Sequence, residues 1–149
     1  METEAPIMRN LLAKRVLSAW GISKLGTRIN AYFEKLINES AIRETTFEDS
    51  TVLWKDGLNP DHYEGFRVHT HNGQKRDADD LPPEEIANGI KDILSHQISL
   101  PKDDLVREAA RLFGFARSGA IVENAMKKGI KIAIQKGFIS EKEDRYIIH

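Results

Sequence analysis

An internal repeat constrains the fold of this chain more than any other feature of its sequence. Residues 12–29 read LAKRVLSAWGISKLGTRI, and residues 105–122, which lie 93 positions later, read LVREAARLFGFARSGAIV. Each copy has an aromatic residue directly before a glycine, Trp20-Gly21 and Phe113-Gly114, and a second glycine five residues further on. Such self-similarity predicts two copies of one supersecondary unit.

Each copy has the pattern of two helices joined by a tight turn. Apolar residues recur at helical spacing before Gly21 and Gly114, and we expect these glycines to end their helices in a left-handed conformation. The apolar positions of the first helices are Leu12, Val16 and Ala19, and Leu105, Ala109 and Leu112. Those of the second helices are Leu25, Ile29, Tyr32, Phe33, Leu36 and Ile37, and Val122, Ala125, Met126, Ile130, Ala133 and Ile134.

A β-hairpin is predicted after each second helix. Thr45–Phe47 and Thr51–Trp54 are β-prone segments in the first copy, and Ser140 and Tyr146–Ile148 flank a turn in the second. Two helices, a glycine-containing turn and a hairpin are the pattern of a winged helix. We therefore predict a fold that is mainly α with small β-hairpins, built from tandem winged helix-turn-helix units.

The second copy also has a predicted preceding helix. Pro82-Pro83-Glu84-Glu85 is typical of a helix start, and apolar residues follow it at helical spacing. Only Met1–Arg9 stands at that place in the first copy, which is too short for an equivalent helix. We expect that helix to lie upstream in a longer parent protein. The apolar positions of the second copy's preceding helix are Ile86, Ile90, Ile93 and Leu94.

These patterns divide the chain into units of residues 1–58 and 82–149, joined by a linker of residues 59–81. The linker contains turn signals. Apolar and polar residues alternate weakly along Phe66–Thr70, so this segment could form an added strand. Arg76–Asp80 is expected to be polar and exposed. We expect Trp20 and Phe113 to be core residues, because they occupy equivalent repeat positions.

Composition narrows the class of protein. The chain has no cysteine, which excludes disulfides and thiolate metal sites and fits a cytoplasmic protein. No apolar run is long enough to cross a membrane, and no signal peptide is recognisable. The formal net charge is −1, which argues against strong, indiscriminate binding of phosphate groups.

Charge is distributed unevenly along the sequence. Residues 77–92 contain six carboxylates and one lysine, whereas residues 116–136 contain five cations and the single carboxylate Glu123. The acidic run of residues 77–85 is predicted to be a solvated linker followed by helix-start carboxylates. The alternative is that it covers the basic helix when nucleic acid is absent.

The candidate nucleic-acid-binding residues lie on the exposed faces of the two second helices. They could equally be ordinary solvated faces, which is what most charged stripes are. Trp54 is expected to be core or to cap the hairpin rather than to stack on a base. The candidates are Arg117, Ser118, Asn124, Lys127, Lys128, Lys131 and Gln135 in the second copy, and Lys24, Thr27, Arg28 and Lys35 in the first.

No catalytic or cofactor site is predicted. There is no nucleophile elbow or glycine-rich phosphate loop. His69 and His71 would point to one face of a strand, but the other nearby ligands are only His62 and Asp61 or Glu64. That spacing matches no standard metal site, so we expect no metal and no cofactor.

Several segments resemble a bacterial domain family of unknown function, found at the C-terminus of very large superfamily-one helicase-like proteins that often carry a nuclease domain. The resemblance implies a winged-helix-like accessory module of a DNA-processing ATPase, with the ATPase and nuclease activities outside this chain. The most specific segments are Glu4-Ala5-Pro6-Ile7, Ala19-Trp20-Gly21, Pro82-Pro83-Glu84-Glu85-Ile86 and Leu112-Phe113-Gly114-Phe115.

The predicted function is therefore a non-catalytic accessory module that binds nucleic acid, with DNA as the first choice over RNA. The alternative is a protein-interaction module that docks onto the helicase domains of the parent ATPase or forms a homodimer. A third interpretation is an inert structural end-cap. Salt dependence separates the first two, because phosphate binding weakens steeply with salt.

Overall fold

The computed structural model describes residues 5–21, 26–40, 42–68, 76–117 and 119–149. The chain divides into two compact units, residues 1–62 and residues 63–149, here called unit 1 and unit 2. The described residues form a mixed α/β structure with five α-helices and two small three-stranded antiparallel sheets.

Unit 1 is built from two helices and one sheet. The elements are β1 (Ile7–Met8), α1 (Arg9–Ala19), α2 (Thr27–Glu39), β2 (Arg43–Phe47) and β3 (Ser50–Trp54). In the sheet, β1 and β2 both pair with β3, so that Ile7 lies opposite Leu53 and Arg43 lies opposite Trp54.

Local sequence signals explain the elements of unit 1. Gly21 follows the end of α1 with φ +72°, which confirms the predicted left-handed glycine. The β2–β3 hairpin is confirmed and is two residues longer at the start of β2 than predicted. The core includes Leu12, Leu53 and Trp54, and the Trp54 indole donates a 2.9 Å hydrogen bond to the Thr45 hydroxyl. The expectation that Trp54 is a core residue is confirmed.

Unit 2 repeats this order and adds a helix before it. The elements are a single-turn 3-10 helix (Ala78–Asp80), α3 (Pro83–Gln97), β4 (Ser99–Pro101), α4 (Lys102–Leu112), α5 (Ala120–Gln135), β5 (Ile139–Lys142) and β6 (Arg145–Ile148). The sheet of unit 2 has the order β4-β6-β5, so the first strand again pairs with the last.

The added helix α3 packs against both α4 and α5. It begins at Pro83, as predicted, and Ile86, Ile90 and Leu94 on its apolar face are buried. Two glycines allow the close packing. A Cβ atom at Gly129 of α5 would lie 2.1 Å from Cγ2 of Ile86, and one at Gly89 of α3 would lie 2.9 Å from the Phe113 ring. Helix α3 therefore completes a three-helix core.

The predicted exposed linker is instead partly folded onto unit 2. The Glu85 carboxylate has no exposed surface and accepts hydrogen bonds from the Arg67 guanidinium at 2.8 and 2.9 Å and from Arg76 at 2.8 Å. Asn88 donates to the carbonyls of Tyr63 and Gly65 at 3.0 and 2.8 Å. Of the residues predicted to be exposed, Asp77 and Asp79 are exposed, whereas Arg76 is half-buried and Ala78 and Asp80 are buried. The contacts of this segment could not be predicted, because the partners are 9 to 25 residues apart in sequence, where no periodicity relates them.

The first interpretation of the acidic run is confirmed in part. Asp77 and Asp79 are exposed and Glu84 and Glu85 lie in the first turn of α3, as predicted, although Asp80, Glu84 and Glu85 are buried rather than solvated. The 3-10 helix that contains Asp80 packs against α5, but Lys127 and Lys131 remain exposed, so the run does not cover these two cations. Glu85 is tolerated in the interior because two guanidinium groups neutralise it.

The fold class was predicted incompletely. Each sheet has a third strand that sequence reasoning missed, because β1 is only two residues long and β4 ends in a proline, a residue depleted in strands.

Phe66–Val68 is irregular rather than a strand, and the rest of that predicted strand lies outside the described residues. Trp20 is 53% exposed and not a core residue, whereas Phe113 is 4% exposed.

Within the residues that the structure describes, no helix combines the length and the apolar character needed to cross a membrane.

Candidate nucleic-acid interface

Helix α5 carries most of the candidate residues of unit 2, and its own sequence explains its position. Gly119 precedes the helix, and Gly137 follows its end with φ +75°, the left-handed conformation that a glycine adopts without strain. Met126, Ile130 and Ala133 are buried against the rest of unit 2. This apolar face fixes which side of α5 faces solvent.

The solvent-facing side of α5 is polar and basic. With about 3.6 residues per turn, Asn124, Lys131 and Gln135 lie within about 40° of one another around the helix axis. All three are exposed, as is Lys127 beside them, whereas Lys128 is half-buried at the edge of the face. The predicted stripe is thus one continuous surface, here called the α5 face (Asn124, Lys127, Lys131 and Gln135).

Arg117 adds a cation near the start of the helix. It is exposed and lies three residues before Ala120, where the first backbone N–H groups of a helix have no intrahelical acceptor. Helix starts of this kind favour anions such as phosphate. Ser118, the neighbouring candidate, lies outside the described residues.

The cations of unit 2 differ in whether they interact with other residues of the chain. Arg117 and Lys127 make no hydrogen bond or ion pair with any residue in the described part of the chain, and both are exposed. Lys128 and Lys131 each take part in an interaction within the chain. Arg117 and Lys127 can therefore bind an anionic partner without giving up an internal one.

The candidates of unit 1 form a weaker group. Thr27, Arg28 and Lys35 on α2 are exposed, and Lys24 lies outside the described residues. The Lys35 ammonium is 4.0 Å from the Glu39 carboxylate, and Glu34 on the same helix pairs with Arg9. Carboxylates are therefore interspersed with the cations along α2, unlike the α5 face.

Both hairpins carry carboxylates at their tips. Glu48 and Asp49 connect β2 to β3, and Glu143 and Asp144 connect β5 to β6. Glu143 and Asp144 both have positive φ angles, a feature of tight hairpin turns whose twist matches the strands. An acidic tip repels phosphate, so the hairpin tips are poor candidates for contacts with nucleic acid.

Unit 1 also contains an open groove that sequence reasoning missed. Its volume is about 680 Å³. The cations Arg43 and Lys55 line it together with the carboxylate of Asp56, and this mixed charge gives little preference for an anion. No periodic pattern joins the segments that form it. The lining residues are Ser40, Ile42, Arg43, Trp54, Lys55, Asp56, Gly57, Leu58 and Asn59.

Two sets of residues are relevant to metal binding: a cluster of three aspartates and the histidine pair of the linker. Carboxylate oxygens of Asp77, Asp79 and Asp80 lie within 4.8 Å of one another, but Asp77 and Asp79 are exposed, and such clusters are common on protein surfaces without an ion. His69 and His71 lie outside the described residues.

Burial raises the pKa of the Tyr63 hydroxyl, and the neighbouring charge of Glu85 raises it further.

Comparison with known proteins gives one partial match. Residues 1–31 match the model of a family described as a protein of unknown function (DUF3320). No curated protein and no solved structure matches the chain. The match covers β1, α1 and the start of α2, and it assigns no activity to these residues.

Proposed function

We propose that the chain is a non-enzymatic module that binds nucleic acid, with DNA as the preferred partner, through the α5 face and Arg117. One observation carries this proposal. The exposed side of α5 presents lysines beside two amides and no carboxylate, because Glu123, the only acidic residue of α5, is half-buried near its start. Lysines supply phosphate contacts, and amide side chains can read base edges.

The order of elements supports a winged-helix interpretation of both units. In each, a strand, two helices and a hairpin follow one another, and the first strand pairs with the last. The second helix of such a pair is the one that enters the major groove. From Asn124 to Gln135 the α5 face extends about 16 Å, and a groove about 12 Å wide admits a helix.

The proposed contact uses the helix and not the hairpin. In unit 2 the tip residues Glu143 and Asp144 are both exposed carboxylates, and they would oppose a phosphate backbone. Binding is therefore expected to be modest in affinity and sensitive to salt, since few cations contribute to it.

The proposed setting is a helicase-like parent protein. The resemblance of the segments around Trp20, Pro82 and Phe113 implies a C-terminal accessory role, and the partial match over residues 1–31 is to a family without an assigned activity. In that setting the module would hold DNA near an ATPase or nuclease that lies elsewhere. The chain itself is proposed to carry no catalytic group.

Fluorescence anisotropy tests the proposal. The 149-residue chain is titrated into labelled duplex DNA, single-stranded DNA and RNA at about 50 and about 200 mM salt, beside the variant Arg117→Ala/Lys127→Ala/Lys131→Ala. We expect duplex DNA to bind best and the variant to bind at least about tenfold more weakly. The slope of log K against log salt should be shallower in the variant, by about one for each substituted cation that had neutralised a phosphate.

A matched control variant distinguishes binding at the α5 face from a general effect of positive charge on DNA affinity. Arg107→Ala/Arg111→Ala/Lys142→Ala removes the same number of positive charges from exposed positions of unit 2 outside the α5 face. This control should bind DNA nearly as well as the unchanged chain. Equal reductions of affinity in the two variants, or no binding by the unchanged chain, would contradict the proposal.

A further inference from the structure

Unit 1 exposes three large apolar side chains whose repeat equivalents in unit 2 are not exposed. Trp20 is 53% exposed, Tyr32 is 55% exposed and Leu36 is 39% exposed. Tyr32 and Leu36 are four residues apart on α2 and therefore lie on one side of that helix. We call Tyr32 and Leu36 the apolar face of unit 1.

The repeat relates each of these positions to a buried one. Helices α1 and α4 begin 93 positions apart, at Arg9 and Lys102, and so do α2 and α5, at Thr27 and Ala120. The same shift relates Trp20 to Phe113, Tyr32 to Ala125 and Leu36 to Gly129. All three residues of unit 2 are buried.

Helix α3 accounts for the burial of two of them. Gly89 of α3 lies against the Phe113 ring, and Ile86 of α3 lies against Gly129. Among the residues of unit 1 that the structure describes, no helix occupies the corresponding place over α1 and α2. By the repeat, Trp20 and Leu36 therefore correspond to the two positions that α3 covers in unit 2.

We propose that the apolar face of unit 1 is a docking site for an amphipathic helix that a partner polypeptide supplies. The size of the side chains specifies that helix. Unit 2 has a large Ile86 on α3 opposite a small Gly129 on α5. Unit 1 has Leu36 at the position of Gly129, so the docked helix needs glycine or alanine where α3 has isoleucine.

Charge gives the docked helix a second property. Arg28 is exposed and lies four residues before Tyr32, on the same side of α2, whereas the exposed Lys35 is 4.0 Å from the Glu39 carboxylate. A cation at the rim of an apolar face favours a carboxylate on the partner. Helix α3 also carries carboxylates, with Glu84 and Glu85 in its first turn and Asp92 further along. The expected partner is thus an acidic amphipathic helix with a small residue at its centre.

A peptide with the sequence of residues 82–98 and the change Ile86→Ala is the probe. Labelled peptide is titrated with the 149-residue chain, and we expect saturable binding. The chain variant Tyr32→Ser/Leu36→Ser should bind at least about tenfold more weakly, since exposed aromatic and aliphatic anchors supply most of the affinity in a helix groove. The peptide that retains Ile86 should bind more weakly than the Ile86→Ala peptide, because its larger side chain meets Leu36.

Control variants keep this proposal separate from the one on nucleic acid. Ile121→Ser/Ile134→Ser removes two exposed apolar side chains from α5 and should leave peptide binding unchanged. The Tyr32→Ser/Leu36→Ser variant should retain DNA binding, and the Arg117→Ala/Lys127→Ala/Lys131→Ala variant should retain peptide binding. Either proposal can therefore fail alone.

Two results would overturn the docking proposal. One is the absence of saturable peptide binding, or peptide binding that Tyr32→Ser/Leu36→Ser does not weaken. The other is self-association of the unchanged chain in sedimentation equilibrium that the same variant abolishes, which would make a second copy of the chain the occupant. A monomeric chain that binds the peptide through Tyr32 and Leu36 supports it.

Discussion

Units 1 and 2 share the same order of strands and helices but differ in what covers their helix pair. In unit 2, α3 packs on α4 and α5, and Phe113 beneath it is buried. In unit 1 the equivalent Trp20 is exposed. The comparison teaches that the repeated pattern fixes the position of a side chain on a helix, whereas its burial depends on the elements that pack around it.

The two units also differ in how an acidic side chain is accommodated. Unit 2 buries Glu85 between Arg67 and Arg76, which come from the segment before α3. This cluster connects residues 67 and 76 to the start of α3. It therefore fixes the helix that distinguishes the two units.

The largest expected effect is a loss of stability when Phe113 is replaced, compared with replacement of the equivalent Trp20 in unit 1. Phe113→Ala should lower the free energy of unfolding of unit 2 by about 3–5 kcal/mol, because it leaves a cavity beneath α3. Trp20→Ala should change the stability of unit 1 by about 0.5 kcal/mol or less, because Trp20 is mostly exposed. Amide hydrogen exchange measured by NMR reports on the two units separately. Similar destabilisation by both variants would show that Trp20 is as important to its unit as Phe113.

An effect nearly as large is expected at Glu85. Glu85→Gln removes the charge that neutralises two guanidinium groups, and it should destabilise unit 2 by about 3 kcal/mol or more. Exchange protection of the α3 amides measures the destabilisation. Glu108→Gln is the matched control, because the exposed pair of Glu108 with Arg111 should contribute about 1 kcal/mol or less. A small effect of Glu85→Gln would mean that the cluster does not hold α3 in place.

The packing of Ile86 on Gly129 gives an intermediate effect. Gly129→Ala should destabilise unit 2 by about 1–3 kcal/mol through overpacking, although alanine is intrinsically the better helix former. The substitution Leu36→Ala at the equivalent position of unit 1 should cost about 0.5 kcal/mol or less. The measurement is again hydrogen exchange in each unit.

A double variant shows whether the effect of Gly129→Ala arises at Ile86. If it does, Ile86→Ala/Gly129→Ala should be destabilised by less than the sum of the two single changes, because the added methyl group then has space. Additive effects would assign the destabilisation by Gly129→Ala to some other neighbour.

The smallest expected effect concerns the hairpin tips. Glu143→Gln/Asp144→Asn removes two negative charges from the hairpin tip of unit 2, the unit that carries the proposed interface, and should raise DNA affinity about twofold at low salt. Glu48→Gln/Asp49→Asn makes the same change in unit 1 and should leave the affinity unchanged. Anisotropy titrations of both variants test which unit contacts DNA, and a reversed order would move the proposed interface to unit 1.

Much of the local structure could be predicted from the sequence. The positive φ angles at Gly21 and Gly114, the start of α3 at Pro83 and the two hairpins all follow from patterns within a few residues. The exposure of Asn124 and Lys131 follows from helical periodicity in the same way. Strands β1 and β4 were missed, because they are too short to show the alternation that identifies a strand.

The sequence by itself determined the repeat, the ends of the helices and the side of α5 that faces solvent, because these depend on residues close together in the chain. The tertiary structure decided that Glu85 is buried and that Trp20 is exposed. Both outcomes depend on distant partners: Arg67 and Arg76 neutralise Glu85, and α3 covers Phe113 in unit 2 but has no equivalent over Trp20 among the described residues of unit 1.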